Sequence, residues 1–414
     1  MNFFEFLNNS VTPYHTVREL RTILSLSRQD GLQIFERGGA LIAVRTPQKV
    51  SKESRFRIAL AHTDFPTLKI SPNPDGMAAG IRTLHPEIYG SPLFTSWLDR
   101  DLGYGGLLAY EKGGSVETKV FRGEKLFRIP QLAVHLNRGV NQDGLKINPQ
   151  TDLDVLWGAG MGQKFEETLR RELPDGANIL DFDVQLFDAQ PAQLGGFDDE
   201  WIFSGRLDNL SSCHAIAEAF ATAPALEKDF QVAAFFNNEE VGSETREGAA
   251  GNFLKSVLDE IVNMSMRAED NAVHLSSLVC SELAGVLSSS FALSIDMAHA
   301  VHPNFVQKHE QRHAPILGGG IVLKMNSQKR YASDVYSNAR FKLLCKQSNI
   351  PFQSFVMRND MPCGSTVGPT ISASLGIPTV DIGEPMFSMH SIREMTAKKD
   401  HEYMIQLVKA FYST

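Results

Sequence analysis

Gln231-Val232-Ala233-Ala234-Phe235-Phe236-Asn237-Asn238-Glu239-Glu240 is the stretch on which the fold turns. A short apolar run bounded by polar residues reads as a buried strand. Here it ends on two adjacent carboxylates, and the strand ends of open α/β sheets are where ligands bind. Like charges held at such a place repel unless a cation or a shared proton relieves them. The alternative is a solvated loop tip. Residues 57–61 and 293–295 also read as buried strands. Residues 243–262 carry helical spacing, and Leu210, Cys213, Ile216, Ala217 and Phe220 predict a helix over about 209–223. This alternation predicts an α/β core with a largely parallel central sheet.

The middle of the chain differs. Residues 76–197 are rich in β-like and turn-like pieces, among them Gly113-Gly114, Asp143-Gly144 and Asn148-Pro149. The polar stretch 188–200 reads as a return linker. The expected organisation is therefore one domain made of residues 1–75 and 198–414, interrupted by a second, β-rich domain over 76–197. A length of 414 residues suits two domains.

Composition narrows the function. The chain is 43% hydrophobic and 21% charged, with a net charge of −8 and no Lys/Arg run longer than a doublet. It therefore lacks the basic footprint of a nucleic-acid binder. No apolar run approaches the roughly 18–20 residues that cross a bilayer, and the first residues lack the marks of a secretory signal. Cys213, Cys280, Cys345 and Cys363 are widely separated and form no CxxC pair. They read as isolated thiols, and the cytoplasm is the expected compartment.

Further candidates lie at other segment ends. His62-Thr63-Asp64 follows the strand 57–61 and offers either a metal ligand with its orienting carboxylate or a hydrogen-bonded pair. Asp208 stands where a helix N-cap belongs, so it is a cap or a ligand. Asp296 opens a cluster with His299 and His302, and His390 either ligates or caps the next helix. Mixed His and carboxylate donors suit zinc, with cobalt or manganese as alternatives. Two ions 3.5–4 Å apart need a shared carboxylate and further ligands on each side. The inventory fills that need and leaves one carboxylate as a general base.

AHTD (61–64), SGRLDN (204–209), NNEEVGS (237–243), DMAHAVHPN (296–304), MPCGST (361–366) and MHSIRE (389–394) together resemble the M18 family of metallo-aminopeptidases. The likeness extends to residues 97–102, 129–138 and 324–332. It implies two divalent ions held by His62, Asp208, Glu240, Asp296 and His390, with Asp208 shared between them. It implies Glu239 as general acid/base and Asp64 as the carboxylate that fixes the His62 ring. His299, Lys324 and Tyr331 match substrate-pocket positions, and His135 matches a histidine that reaches a neighbouring subunit's site. The implied assembly is a dodecamer built from dimers through the inserted domain, acting on peptides with free N-termini. Phe65, Leu98 and residues 244–247 depart from the family pattern without removing a ligand. Acidic N-terminal residues are the expected substrates. Leucine-like N-termini, or a two-metal amidohydrolase acting on N-acyl amino acids, are the alternatives.

Overall fold

The computed structural model describes residues 1–26, 31–51, 53–269 and 279–414. Its central sheet has eight strands in the order Leu32–Arg37, Ala40–Arg45, Phe230–Phe236, Phe56–His62, Phe291–Ile295, Thr379–Gly383, Ile321–Met325 and Phe352–Val356. The four inner strands, from Phe230–Phe236 to Thr379–Gly383, run parallel, and antiparallel neighbours flank them. Phe230–Phe236 and Phe291–Ile295 are buried throughout, as expected of strands covered on both faces.

Two apolar layers provide that cover. On one face Leu20, Leu210, Ile216, Phe220, Phe341 and Leu407 pack from helices against Ala59, Ala61 and Phe235. On the other, Leu254, Leu258, Ile261 and Ile371 pack against Ile58, Leu60, Val232 and Ala234. The alternation of strand side chains between the two layers follows from the period-2 geometry of a strand.

The expected strands at 57–61, 231–236 and 293–295 correspond to Phe56–His62, Phe230–Phe236 and Phe291–Ile295, and the helix expected over 209–223 is Leu207–Thr222. The helical spacing of 243–262 is only half realised. The helix begins at Phe253, because Gly242, at φ 102°, and Ser243, at φ 65°, open a run of turns. The sheet is largely parallel as expected, with Ala40–Arg45, Ile321–Met325 and Phe352–Val356 running against the rest.

A second sheet has six strands, ordered Ser115–Arg122, Leu102–Lys112, Asn178–Asp188, Thr67–Ala78, Ile81–Tyr89 and Val155–Ala159, and its ladders are antiparallel. It has its own core of Leu68, Leu84, Leu102, Phe127, Leu153 and Phe165. Its first strand starts before residue 76, because Pro72 and Pro74 hide a ladder that survives them through a register shift between Ile70 and Asp75. The chain enters and leaves this sheet at one place, where Thr67 Oγ1 donates to Leu186 O at 2.7 Å. Residues 188–200 are not a bare linker. Gln193–Gly195 opens a third, five-stranded sheet with Trp201–Ser204, Glu394–Ala397, Pro385–Phe387 and Ala298–His299.

Among the described residues no helix is long and apolar enough to cross a membrane. Cys213, Cys345 and Cys363 are free thiols, and the side chain of Cys280 lies outside the described residues.

Candidate metal centre and active site

Parallel register brings the candidate residues to one edge. Phe236 pairs with His62, and the strand Phe291–Ile295 runs beside them, so His62, the 237–240 turn and Asp296 emerge together at the C-terminal edge of the sheet. Asp208 enters from the first turn of Leu207–Thr222. It has non-helical backbone angles, and the N-cap is Arg206. The capping reading of Asp208 therefore does not hold. Neither does it hold for His390, which sits in a turn at φ 67° and is separated from the next helix by Glu394–Ala397.

Among the described residues three groups could hold a cation: His62, Asp208 and Asp296; Asp208, Glu240 and His390; and His62, Glu239 and Glu240. His62 Nε2 lies 3.5 Å from Asp208 Oδ1 and 3.7 Å from Asp296 Oδ1. His390 Nε2 lies 3.6 Å from Asp208 Oδ2 and 3.4 Å from Glu240 Oε2. Ligand atoms about 2.0–2.2 Å from one tetrahedral ion stand about 3.3–3.6 Å apart, so separations of 3.4–3.7 Å lie close to those of donors arranged around an ion. Asp208 Oδ1 is buried without a hydrogen-bond partner. Both imidazoles are oriented to ligate through Nε2 once that nitrogen is deprotonated. His62 Nδ1 donates to Asp64 O at 3.0 Å and His390 Nδ1 to Ser91 O at 3.1 Å, leaving each Nε2 toward the carboxylates. The donor set fits zinc.

The electrostatics of the ion-free site point the same way. Burial opposes charge on His62, but hydrogen bonding to Asp296 and Asp64 outweighs it and holds the ring well above its ordinary value. Burial likewise opposes His390, yet Asp208 and Glu240 raise it to about 10. Burial, reinforced by Asp208, lifts Glu240 well above the usual carboxylate range. Burial pushes Glu239 up to about 8, against the nearby His62. This is a cluster of acids crowded beyond what its own cations relieve.

Asp64 sits behind His62, wholly buried. Its carboxylate accepts the backbone N–H of Glu239 and of Glu240, each at 3.1 Å, and Tyr89 Oη at 2.7 Å. Burial raises this acid, but His62 and Tyr89 more than compensate and keep it below its ordinary value.

A cavity of about 560 Å³ opens over this floor. His62, Asp208, Glu239, Glu240, Asp296 and His390 line its base, and His299, Lys324 and Tyr331 line its wall. His299 is held down to about 4 by burial and by Lys324, and so is neutral. Lys324 is buried, with Nζ donating to Met297 O at 2.8 Å and 3.6 Å from Asp296 Oδ2. His135 is exposed on a loop and does not line the cavity.

Three contributors escaped the sequence reading. Glu394 accepts from the backbone N–H of Asp208 at 3.1 Å and of His390 at 2.8 Å. Its place four residues after His390 was the only signal. Arg330 lines the cavity with Nε bonded to Cys363 O. Tyr89 comes from the second sheet, and no local pattern links it to Asp64.

The comparisons agree across the chain. The profile of the family described as Aminopeptidase I zinc metalloprotease (M18) matches residues 6–412. A probable M18 family aminopeptidase 2 from Streptomyces avermitilis is 38% identical over 430 residues, covering 99% of this chain and 96% of that protein. Aspartyl aminopeptidase 4 from Saccharomyces cerevisiae is 34% identical over 462 residues, covering 99% and 93%. The structure of the S. cerevisiae mApe1 dodecamer superposes with a TM-score of 0.81 at 26% identity, covering 99% of this chain and 95% of that one. The chain belongs to the M18 family of zinc metallo-aminopeptidases, hydrolases that act on peptides.

Proposed function

We propose that the chain is a two-ion aminopeptidase that removes single acidic residues from peptide N-termini. The observation that carries the reading is the pair of donor groups sharing Asp208, with Glu239 beside them. One ion would take His62 and Asp296, the other Glu240 and His390, and Asp208 would serve both. Zinc is the first choice, with cobalt or manganese as substitutes. When bound, such ions lower the pKa of a water and polarise the scissile carbonyl.

The chain's own groups supply the rest. Glu239 accepts the proton of the attacking water and returns it to the leaving amine. Asp64 holds the His62 ring and the backbone of Glu239 and Glu240 in place. Neutral His299 and the Tyr331 hydroxyl are donors for the developing oxyanion. Lys324 and Arg330 give the cavity wall positive charge suited to a side-chain carboxylate, in keeping with the name of the yeast relative. The hydrogen bond from Lys324 to Met297 O favours a second reading, in which this lysine supports Asp296 and neutral N-termini are also accepted.

Exposed His135 suits a residue completing a neighbour's site. The second sheet would then carry the dimer contact within a dodecamer of the mApe1 kind. The widely separated cysteines are in keeping with a cytoplasmic enzyme. Zinc-loaded protein assayed against Asp-, Glu- and Leu-peptides and an N-acetylated control tests the reading. Cleavage of Asp and Glu peptides in preference to Leu is expected. Equal rates on Leu would overturn the acidic preference, and cleavage of the acetylated control would overturn the exopeptidase reading.

A further inference from the structure

Residues 89–93 leave the second sheet and pass directly along the candidate centre. Tyr89, paired with Thr67 at the sheet's edge, sends its hydroxyl to Asp64 Oδ2 at 2.7 Å and accepts from Asn238 Nδ2 at 2.9 Å. Gly90 follows at φ +70°, where a Cβ would stand 3.1 Å from Glu240 Cβ. Ser91 O receives His390 Nδ1, and the Leu93 N–H donates to His390 O at 2.9 Å. One short segment thus touches the carboxylate that anchors the Glu239–Glu240 turn and both the ring and the backbone of His390, and passes Glu240 too closely for a side chain at position 90.

We infer that residues 89–93 form a positioning strap through which the second sheet sets the orientation of Glu239, Glu240 and His390. The turn they hold closes on itself through Gly242 N–H to Glu239 O and Ser243 N–H to Asn238 O, but it carries left-handed backbone. Asn238, Gly242 and Ser243 have φ of 63°, 102° and 65°, and His390 itself has φ 67°. Non-glycine residues persist in that region only when their surroundings over-determine them. The strap supplies part of that determination. Tyr89 is the positioning residue whose hydroxyl connects Asp64 with Asn238, and Gly90 is the only residue type that lets the strap approach so closely without steric conflict.

The inference rests on the proposed roles of Glu239, Glu240 and His390. The two fail separately. Full metal retention in Asp208→Ala would refute those roles, whereas an unaltered Tyr89→Phe enzyme refutes only the strap.

Tyr89→Phe removes one hydroxyl and keeps the ring. In the full-length, metal-loaded protein it should leave the melting temperature and metal stoichiometry unchanged. It should lower kcat by about tenfold, the lower end for loss of a partner behind a ligand, with KM within about twofold. The visible absorption of the cobalt-substituted protein should shift, because the donor geometry changes without loss of a donor. Tyr14→Phe is the matched control. Tyr14 Oη donates to Asp183 at 2.8 Å in the same seam between the sheets, but has no hydrogen bond to Asp64, so rate and spectrum should stay as in the parent. Asn238→Gly keeps the left-handed backbone, removes the other partner of Tyr89, and should act in the same direction. Parent-like kcat and spectrum in Tyr89→Phe would overturn the strap. So would a rate loss that only tracks lost metal or fold, or an equal effect from Tyr14→Phe.

Discussion

The two halves of the candidate centre are built by different means. His62 ends a regular strand buried at every position but Arg57, and Asp296 follows another directly, with their positions set by ladder register and two packed layers. Glu240 and His390 stand in turns with left-handed backbone, and their placement depends on hydrogen bonds they donate to Asp64, Glu394 and the strap. His390 keeps 29% of its side chain exposed, whereas His62 keeps 1%. A half built on strand ends is positioned by folding itself. A half built on turns can be loosened without unfolding anything.

The largest expected effect comes from the residue common to both halves. Asp208→Ala should empty both, with metal content near zero and activity down by at least roughly 10³-fold, beyond what loss of one supporting group costs. Glu239→Gln belongs to neither half. It should keep the metal and fold while turnover falls by at least about 10²-fold. Metal analysis beside steady-state rates decides. A metal-replete Asp208→Ala would break the comparison at its centre.

Graded chelation sharpens it next. The Glu240–His390 half should lose its ion first, with an affinity gap of roughly tenfold or more. Since His390 stands at about 10 without an ion, it is protonated at pH 7 and must release that proton to ligate. Metal affinity should therefore rise with pH, and calorimetry in buffers of different ionisation enthalpy should register proton release. Loss of both ions together, or affinity that falls as pH rises, would contradict the two-halves account.

The smallest effect concerns the wall. Lys324 is tied to Asp296 and so to the strand-end half, whereas Arg330 lines the cavity from a loop, with its Nε bonded to Cys363 O. Arg330→Met should lower kcat/KM for Asp-peptides by about tenfold or less, since a partly solvated pair contributes modestly, and spare Leu-peptides. Lys324→Met should lower both. A reversed pattern would make Lys324 the group that reads the substrate.

This contrast also marks what was legible in the sequence. Candidate residues at strand ends follow apolar runs, so His62, Glu239–Glu240 and Asp296 could be found by reading a run to its end. The strands on which they ride lie within two residues of the expected positions. Asp208 and His390 were visible as residues, but their backbone was not, because a cap and a ligand look alike until the φ values are known. Tyr89 and Arg330 were invisible. Their significance comes from contacts across 25 residues to Asp64 and 33 to Cys363, and no local period encodes such pairs. The helix expected from 243 started late for the same reason, since the turn before it answers to Asp64 and Asn238 rather than to its own spacing.

The hydrogen bond between Thr67 and Leu186 makes the second sheet, topologically, one long loop whose feet touch. The entropy of closing a loop grows only with the logarithm of its length, about 0.6 kcal/mol for each doubling. Hairpin tips far from the feet, such as Gly113-Gly114, are thus sites where the chain can lengthen, shorten or accept a foreign segment at little thermodynamic expense. Residues 89–93 lie inside the same loop and have no such freedom. Variation in this lineage, or grafting by an engineer, is therefore expected to concentrate at the far rim of the sheet and to stop short of the segment that returns to the candidate centre.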